Sequence, residues 1–389
     1  MEIERKKVMS NYIWTSEYVS PGHPDKIADQ ISDAILDAYL SLDRNAKVAC
    51  ETMVKNNNVY IGGEITSIVE IPDSKIQEIV RETICEIGYD RDELKFNGNN
   101  CSVHLDISCQ SPEINKAVVG GEDITAGDQG IMFGYATNTT PNGMPLPIYL
   151  AKYFISTAYE RKDNYQLRPD MKSQVSIRYE NGSPVEVDNV ILSACHDESI
   201  ELEMLRQYFH DVIKTTVIRE TPEHISKLFT KNTKWYVNPA GTWNIGGPVA
   251  DCGLTGRKIV VDQYGADCPI GGGAFSGKDP SKVDRSGAYM ARHIALNTLA
   301  KNLEAETIQV QLGYSIGQKY PVSLRIYSPY TGNEYSWGDG SMEELTPSGI
   351  ISKFELDNPI YKETARWGHF GISPKEVEGT KFYEWERIQ

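Results

Sequence analysis

Between Gly271 and Lys282 the chain reads Gly-Gly-Gly-Ala-Phe-Ser-Gly-Lys-Asp-Pro-Ser-Lys, residue types suited to holding a polyphosphate. Glycines let backbone N–H groups approach anionic oxygens closely. Asp279 before Pro280 predicts an N-cap and a first helical position, with the helix running from Ser281 through Leu303. A helix start disfavours cations, yet Lys278, Lys282 and Arg285 gather there, as expected where an anion completes the charge balance. From Gly272 to Lys278 the spacing follows G-x-x-x-x-G-K, but Asp279 replaces the Ser or Thr that holds magnesium in a Walker loop. The expectation is a different kind of phosphate loop, with its metal ligands supplied from elsewhere.

Four further segments carry chemistry. Ser20-Pro21-Gly22-His23-Pro24-Asp25-Lys26 predicts a turn entering a helix, where His23 can donate to a phosphate or leaving oxygen and Asp25 can ligate magnesium. Aspartates at 29, 33 and 37 continue the i+4 spacing and read as a solvated face. In Asp251-Cys252-Gly253-Leu254-Thr255-Gly256-Arg257-Lys258, two glycines lead to adjacent cations and an expected strand over Ile259, Val260 and Val261. Asp128, framed by Gly127 and Gly130, precedes a buried strand, and Arg168-Pro169-Asp170-Met171-Lys172 opens another.

The elements that must position these residues follow one order three times. Strand Tyr12 to Val19, helix Pro24 to Leu42, strands Lys47 to Val54 and Val59 to Ser67, helix Lys75 to Ile87 and strand Ser102 to Ser108 form the first round. The second has a strand at Gly130 to Thr137, a helix at Pro147 to Arg161, a hairpin through Asn181-Gly182, a helix at Glu198 to Arg219 and a strand at Trp235 to Asn238. The third runs from Arg257 to Asp262 through the helix after Pro280, strands at Thr307 to Tyr314 and Val322 to Tyr327, and a helix near Glu343 to Lys353. This predicts an α+β protein of three β-α-β-β-α-β domains. Their expected bounds are 10–111, 128–246 and 247–389, with a loop and linker at 112–127. Gln110 to Ala126 is poor in periodicity and reads as a lid.

A net charge of −15 over 389 residues speaks against nucleic acid or an anionic membrane as partner, so any site for an anion must be local. Seven cysteines without a C-x-x-C pair, no membrane-length apolar run and a charged beginning predict a reduced, cytoplasmic protein.

Taken together, GHPDK, GGEIT, GDQG, RPDxKSQ, DCGLTGRK and GGGAFSGKDPSKVDRS resemble, in order and spacing from about Trp14 to Phe370, the S-adenosylmethionine synthetases. The resemblance implies three domains about a pseudo-threefold axis and a homodimer or homotetramer with active sites between subunits. It implies attack of methionine sulfur on the 5′ carbon of ATP, then hydrolysis of the triphosphate to pyrophosphate and phosphate, with two magnesium ions and one potassium ion. By residue, it assigns His23, Asp170, Lys172, Trp243, Asp251, Arg257, Lys258, Ala274 and Lys278 to ATP, with His23, Lys172, Arg257 and Lys278 acting on the reaction. Glu64, Gln110, Asp251 and Lys282 go to methionine, Asp25 and Asp284 to magnesium, Glu51 to potassium, and Asp128 to a supporting role.

Some positions depart from the family's pattern: Pro21 and Thr125, Thr242 where arginine is familiar, and Cys268-Pro269-Ile270 before the glycine triplet. An ATPase or kinase cutting at the γ-phosphate and a non-catalytic nucleotide-binding subunit are the rival readings. The first lacks its Ser or Thr after Lys278, and the second would be expected to have lost several of the charged residues that are all present.

Overall fold

The structure, a computed structural model, describes residues 11–109, 125–338 and 340–389. Gln110 and most of the expected lid therefore lie outside the described residues. The mixed α+β character is as expected, and so is the threefold order, but the sheets combine the thirds of the sequence in a way that chain order does not reveal.

The strands are β1 (Tyr12–Val19), β2 (Lys47–Lys55), β3 (Asn58–Thr66), β4 (Ser102–Ser108), β5 (Gly130–Thr137), β6 (Leu167–Glu180), β7 (Ser183–His196), β8 (Lys234–Val237), β9 (Gly253–Leu254), β10 (Thr307–Tyr314), β11 (Ser323–Tyr327) and β12 (Glu334–Tyr335), with a small hairpin, β13 (Lys375–Val377) and β14 (Thr380–Phe382), near the end. Three four-stranded sheets result, with orders β1-β6-β7-β8, β12-β11-β10-β5 and β4-β3-β2-β9. The first strand of each round thus leaves its own unit. β1 completes the second round's sheet, β5 the third's, and the two-residue β9 the first's.

Four long helices cover these sheets: α1 (Pro24–Leu42), α2 (Asp73–Ile87), α3 (Leu146–Glu160) and α4 (Val283–Lys301). α1 packs on β2 and β9, α3 on β6 and β1, and α4 on β5 and β10. Local sequence accounts for several boundaries. His23 caps α1 with Pro24 in the first turn, and Gly88, with φ 109°, ends α2 in the left-handed conformation. Asn181 and Gly182, with φ 54° and 84°, make the expected turn between β6 and β7.

Other expectations are corrected. α4 begins at Val283, not Ser281, because the Asp279 carboxylate accepts from Val48 N at 2.8 Å and Ser281 N at 3.0 Å, tying the preceding turn to β2 instead of capping the helix. Ile259–Asp262 is one helical turn, not a strand. Val261 and Asp262 are buried there, and the turn packs on β1, so tertiary contact overrides the β-branched propensity. The helix expected over Glu198 to Arg219 contains a π-helical stretch, Phe209–Lys214, between Leu202–Tyr208 and Thr215–Glu220. Near Glu343, Pro347 starts a new helix, Pro347–Phe354, after a 3₁₀ turn at Met342–Leu345.

Candidate active site

The strand exchange assembles the motifs. Along the β1–β6 pair Val19 lies opposite Lys172, while Ser20 N donates to Met171 O and Met171 N to Ser20 Oγ. The GHPDK turn is thereby fixed beside RPDxKSQ. Tyr89 Oη and Gln30 Nε2 hold the turn from behind through the carbonyls of Gly22 and Pro21, at 2.7 and 2.8 Å. On the other side, β9 pairs with β2 and brings DCGLTGRK against α1. Gly253 is required there, because a Cβ would lie 2.1 Å from the Pro24 carbonyl oxygen.

A first cluster forms at this junction. Asp25 is 3% exposed; its Oδ1 accepts from Leu254 N at 2.9 Å and its Oδ2 from Lys258 Nζ at 2.5 Å. His23 is 2% exposed, and its Nδ1 accepts from Asp25 N at 3.2 Å, which places the proton of the neutral ring on Nε2. Burial, then the charges of Lys258 and Lys172, push His23 down to about 3, so it is a neutral donor at physiological pH. Asp170 accepts from Gly247 N at 2.8 Å through Oδ2, while its buried Oδ1 has no donor. Burial holds Asp170 up at about 6, against the pull of that N–H and Lys172. Asp251 and Lys258 lie within electrostatic range of both His23 and Asp170. Arg257 is exposed beside Lys258. Trp243 pairs with His196 through the backbone and donates its ring N–H to Ile245 O at 2.8 Å; Gly246 follows, approaching Asp170.

A second cluster surrounds the glycine loop. Lys278 Nζ pairs with Asp284 Oδ2 at 2.6 Å, and Lys282 Nζ with Asp279 Oδ2 at 2.5 Å. Asp284 sits in the first turn of α4, and a Cβ on Gly273 would lie 2.2 Å from its carboxyl carbon. Asp128 is exposed and bonds to Gln129 N at 2.7 Å; the next glycine, Gly130, adjoins Asp284. The two clusters touch where Gly256 meets Ala274, since a Cβ on Gly256 would lie 2.4 Å from that of Ala274.

Glu51 and Glu64 are set apart on the uncovered face of β2 and β3. Both are exposed and line a cavity of about 680 Å³ with Leu254, Thr255 and His104. Ala49, on the rim, bridges to Lys278.

The aspartates of α1 overturn the expectation of a solvated face. Asp29 and Asp33 are fully buried. Asp29 accepts from Gly256 N at 2.8 Å and Asp33 from Gly277 N at 2.7 Å, while Asp37 receives Tyr361 N and Lys362 N at 2.9 and 2.8 Å. Arg285 grips Asp33 with both terminal nitrogens, at 2.9 and 2.5 Å. Lys26, also buried, donates to Asp29 and Asp262 at 3.1 and 2.6 Å. Burial raises both carboxylates above their ordinary range against the pull of the ammonium they share. A signal was present in the sequence: this stripe is all aspartate with Ala28 and Ser32 beside it, whereas solvated helix faces favour longer charged side chains.

Lys172 of β6, Arg257 and Lys258 after β9, and Lys278 and Lys282 of the glycine loop thus lie among carboxylates and beside a buried neutral histidine, an arrangement suited to a polyanionic ligand. Residues 11–112, 123–243 and 245–387 match the N-terminal, central and C-terminal domains of S-adenosylmethionine synthetase. The chain is 46% identical to the S-adenosylmethionine synthase of Helicobacter pylori (strain Shi470) over 387 residues, 97% of this chain and 98% of that protein. It belongs to the S-adenosylmethionine synthetase family.

Proposed function

We propose that the chain is a methionine adenosyltransferase, forming S-adenosylmethionine from ATP and L-methionine by attack of the thioether sulfur on the ribose 5′ carbon, then hydrolysing the displaced triphosphate. Carrying this reading is the placement of Lys172 on β6 beside His23, and of Arg257, Lys258, Lys278 and Lys282 on two adjoining loops, in a chain with net charge −15. The sulfur nucleophile is neutral and needs no base; the departing triphosphate needs cations. A pair of unit charges 4 Å apart is worth about 1 kcal/mol in water but about 4 kcal/mol at a protein-like dielectric. Preorganised cations in a drier site therefore favour the charge that develops on the leaving group.

Three of these cations pair with carboxylates: Lys258 with Asp25, Lys278 with Asp284 and Lys282 with Asp279. Asp25 and Asp284 offer the hard oxygen donors that magnesium uses when phosphates complete its shell. Bound there, magnesium would neutralise phosphate charge and orient the leaving group. In our reading ATP loading exchanges partners, with lysines moving from carboxylate to phosphate oxygens. His23 donates from Nε2 on the leaving-group side, and the unpaired Oδ1 of Asp170 accepts from a hydroxyl or amino group of the nucleoside.

Glu64, Asp251 and Lys282 hold methionine with Gln110, which lies outside the described residues; Glu51 supplies a carboxylate to potassium. The uncovered face of the β4-β3-β2-β9 sheet, where Tyr60 and Leu254 are 40% and 36% exposed, supports an assembly that places the active sites between two copies. Among the described residues no helix is long and apolar enough to cross a membrane. A cytoplasmic location belongs to this reading.

Mass spectrometry of products after incubation with ATP, methionine, magnesium and potassium tests the assignment. S-adenosylmethionine with matching pyrophosphate and phosphate is expected. ADP formed without methionine would overturn it in favour of an ATPase.

A further inference from the structure

We propose that Asp29 is a positioning residue: its carboxylate sets the register of the Arg257–Lys258 turn against the glycine loop. The inference rests on the adenosyltransferase reading above and adds a residue with no substrate contact of its own. Asp29 lies one helical turn beyond Asp25 on α1 and is fully buried. The backbone N–H groups of Leu254 and Gly256 are received by Asp25 and Asp29 respectively, at 2.9 and 2.8 Å. Those two bonds fix the strand end from which Arg257 and Lys258 project. Gly256, with φ 78°, is also the point where this turn meets Ala274. One turn further along the helix, Asp33 receives Gly277 N at 2.7 Å and so holds the far end of the glycine loop. Two carboxylates on one rigid helix thus set the spacing of both phosphate-side loops.

Asp25 would not serve this purpose alone, because a magnesium ion held by its oxygens would compete with Leu254 N and Lys258. Asp29 is fully buried and bonds to neither Leu254 N nor Lys258. Its second oxygen is occupied by Lys26, which Asp262 also holds, so the acceptor for Gly256 N remains when Asp25 changes partners.

The test compares Asp29→Ala and Asp29→Asn with the wild-type full chain, measuring kcat, the KM for ATP and for methionine, and thermal melting. The amide oxygen of Asn still accepts from Gly256 N, and Lys26 keeps Asp262. We expect Asp29→Ala to lower kcat per folded enzyme by about 10²-fold, the effect of an ångström-scale misplacement, with the methionine KM within about twofold. Asp29→Asn should keep kcat within about threefold of wild type. If Asp29→Ala melts below assay temperature, Asp29→Ser takes its place with the same expectation. Wild-type kcat in the Ala or Ser variant overturns the positioning role, as does an equal loss in Asn, which would assign the effect to charge. Absence of product from the wild type overturns the adenosyltransferase reading itself.

Discussion

At the level of single residues, charge pairing describes the site better than charge alone. Lys278 is about a quarter exposed and, among the described residues, pairs with Asp284, from which a stronger anion can draw it. If it stabilises the departing triphosphate, Lys278→Met should lower turnover by about 10²-fold while methionine binding changes little. Steady-state kinetics checks this, and an equally active variant would end that role. His23 differs because its ring is already neutral. Burial and the nearby lysines keep it near 3, so protonation of this ring should leave no inflection in the rate between pH 5 and 9. A profile that His23→Asn alters within that range would show the imidazole titrating there.

At the level of elements, α1 is the beam on which the site is mounted. Its apolar stripe, Ile27, Ile31 and Ile35, was legible from periodicity, and its bounds follow from Pro24 and the His23 cap. The aspartate stripe was misread because spacing says which residues share a face, not what that face meets. Here it meets backbone N–H groups contributed by residues more than two hundred positions away. β9 was missed for a related reason: a two-residue strand has no periodicity, and pairing alone defines it. Gly253→Ala probes it directly. The new methyl has backbone on one side and the Val54 side chain, 2.7 Å from the added Cβ, on the other. Neither the Pro24 carbonyl nor β2 can move without shifting Asp25. We expect a destabilisation of about 1–3 kcal/mol, the usual cost of overpacking, together with a loss of kcat. Wild-type melting and kcat together would show that this approach is not tight.

At the level of the whole molecule, the cyclic exchange of β1, β5 and β9 couples the folding of the three thirds to the building of the site. None of the three sheets is complete within its own segment. The segment before the glycine triplet also records this coupling. Asp267 is half-buried near Trp14 of β1, which bonds to it, yet its enclosed Oδ2 has no partner among the described residues. Burial pushes it from 3.8 up to about 7. The folded state therefore keeps a proton that the unfolded chain releases, and stability falls as pH rises from about 4 to about 7. Asp267→Asn should stabilise the protein at pH 8 by at most about 4 kcal/mol, seen as a higher melting temperature, and by only about 1 kcal/mol at pH 4.5. Equal melting at both pH values would mean that the carboxyl is not held protonated.

What the sequence determined by itself was local chemistry and local geometry. Glycines that permit close backbone approach, lysines gathered at a helix start, prolines that open helices and apolar periods that orient them all act over a few residues. Tertiary structure alone decided which strand completes which sheet, that Ile259–Asp262 turns as a helix, and that Asp29 and Asp33 are anchors instead of surface charges. Each of these depends on a partner distant in the chain: a hydrogen bond or ion pair costs little to leave to water at the surface, and becomes obligatory once burial removes the water.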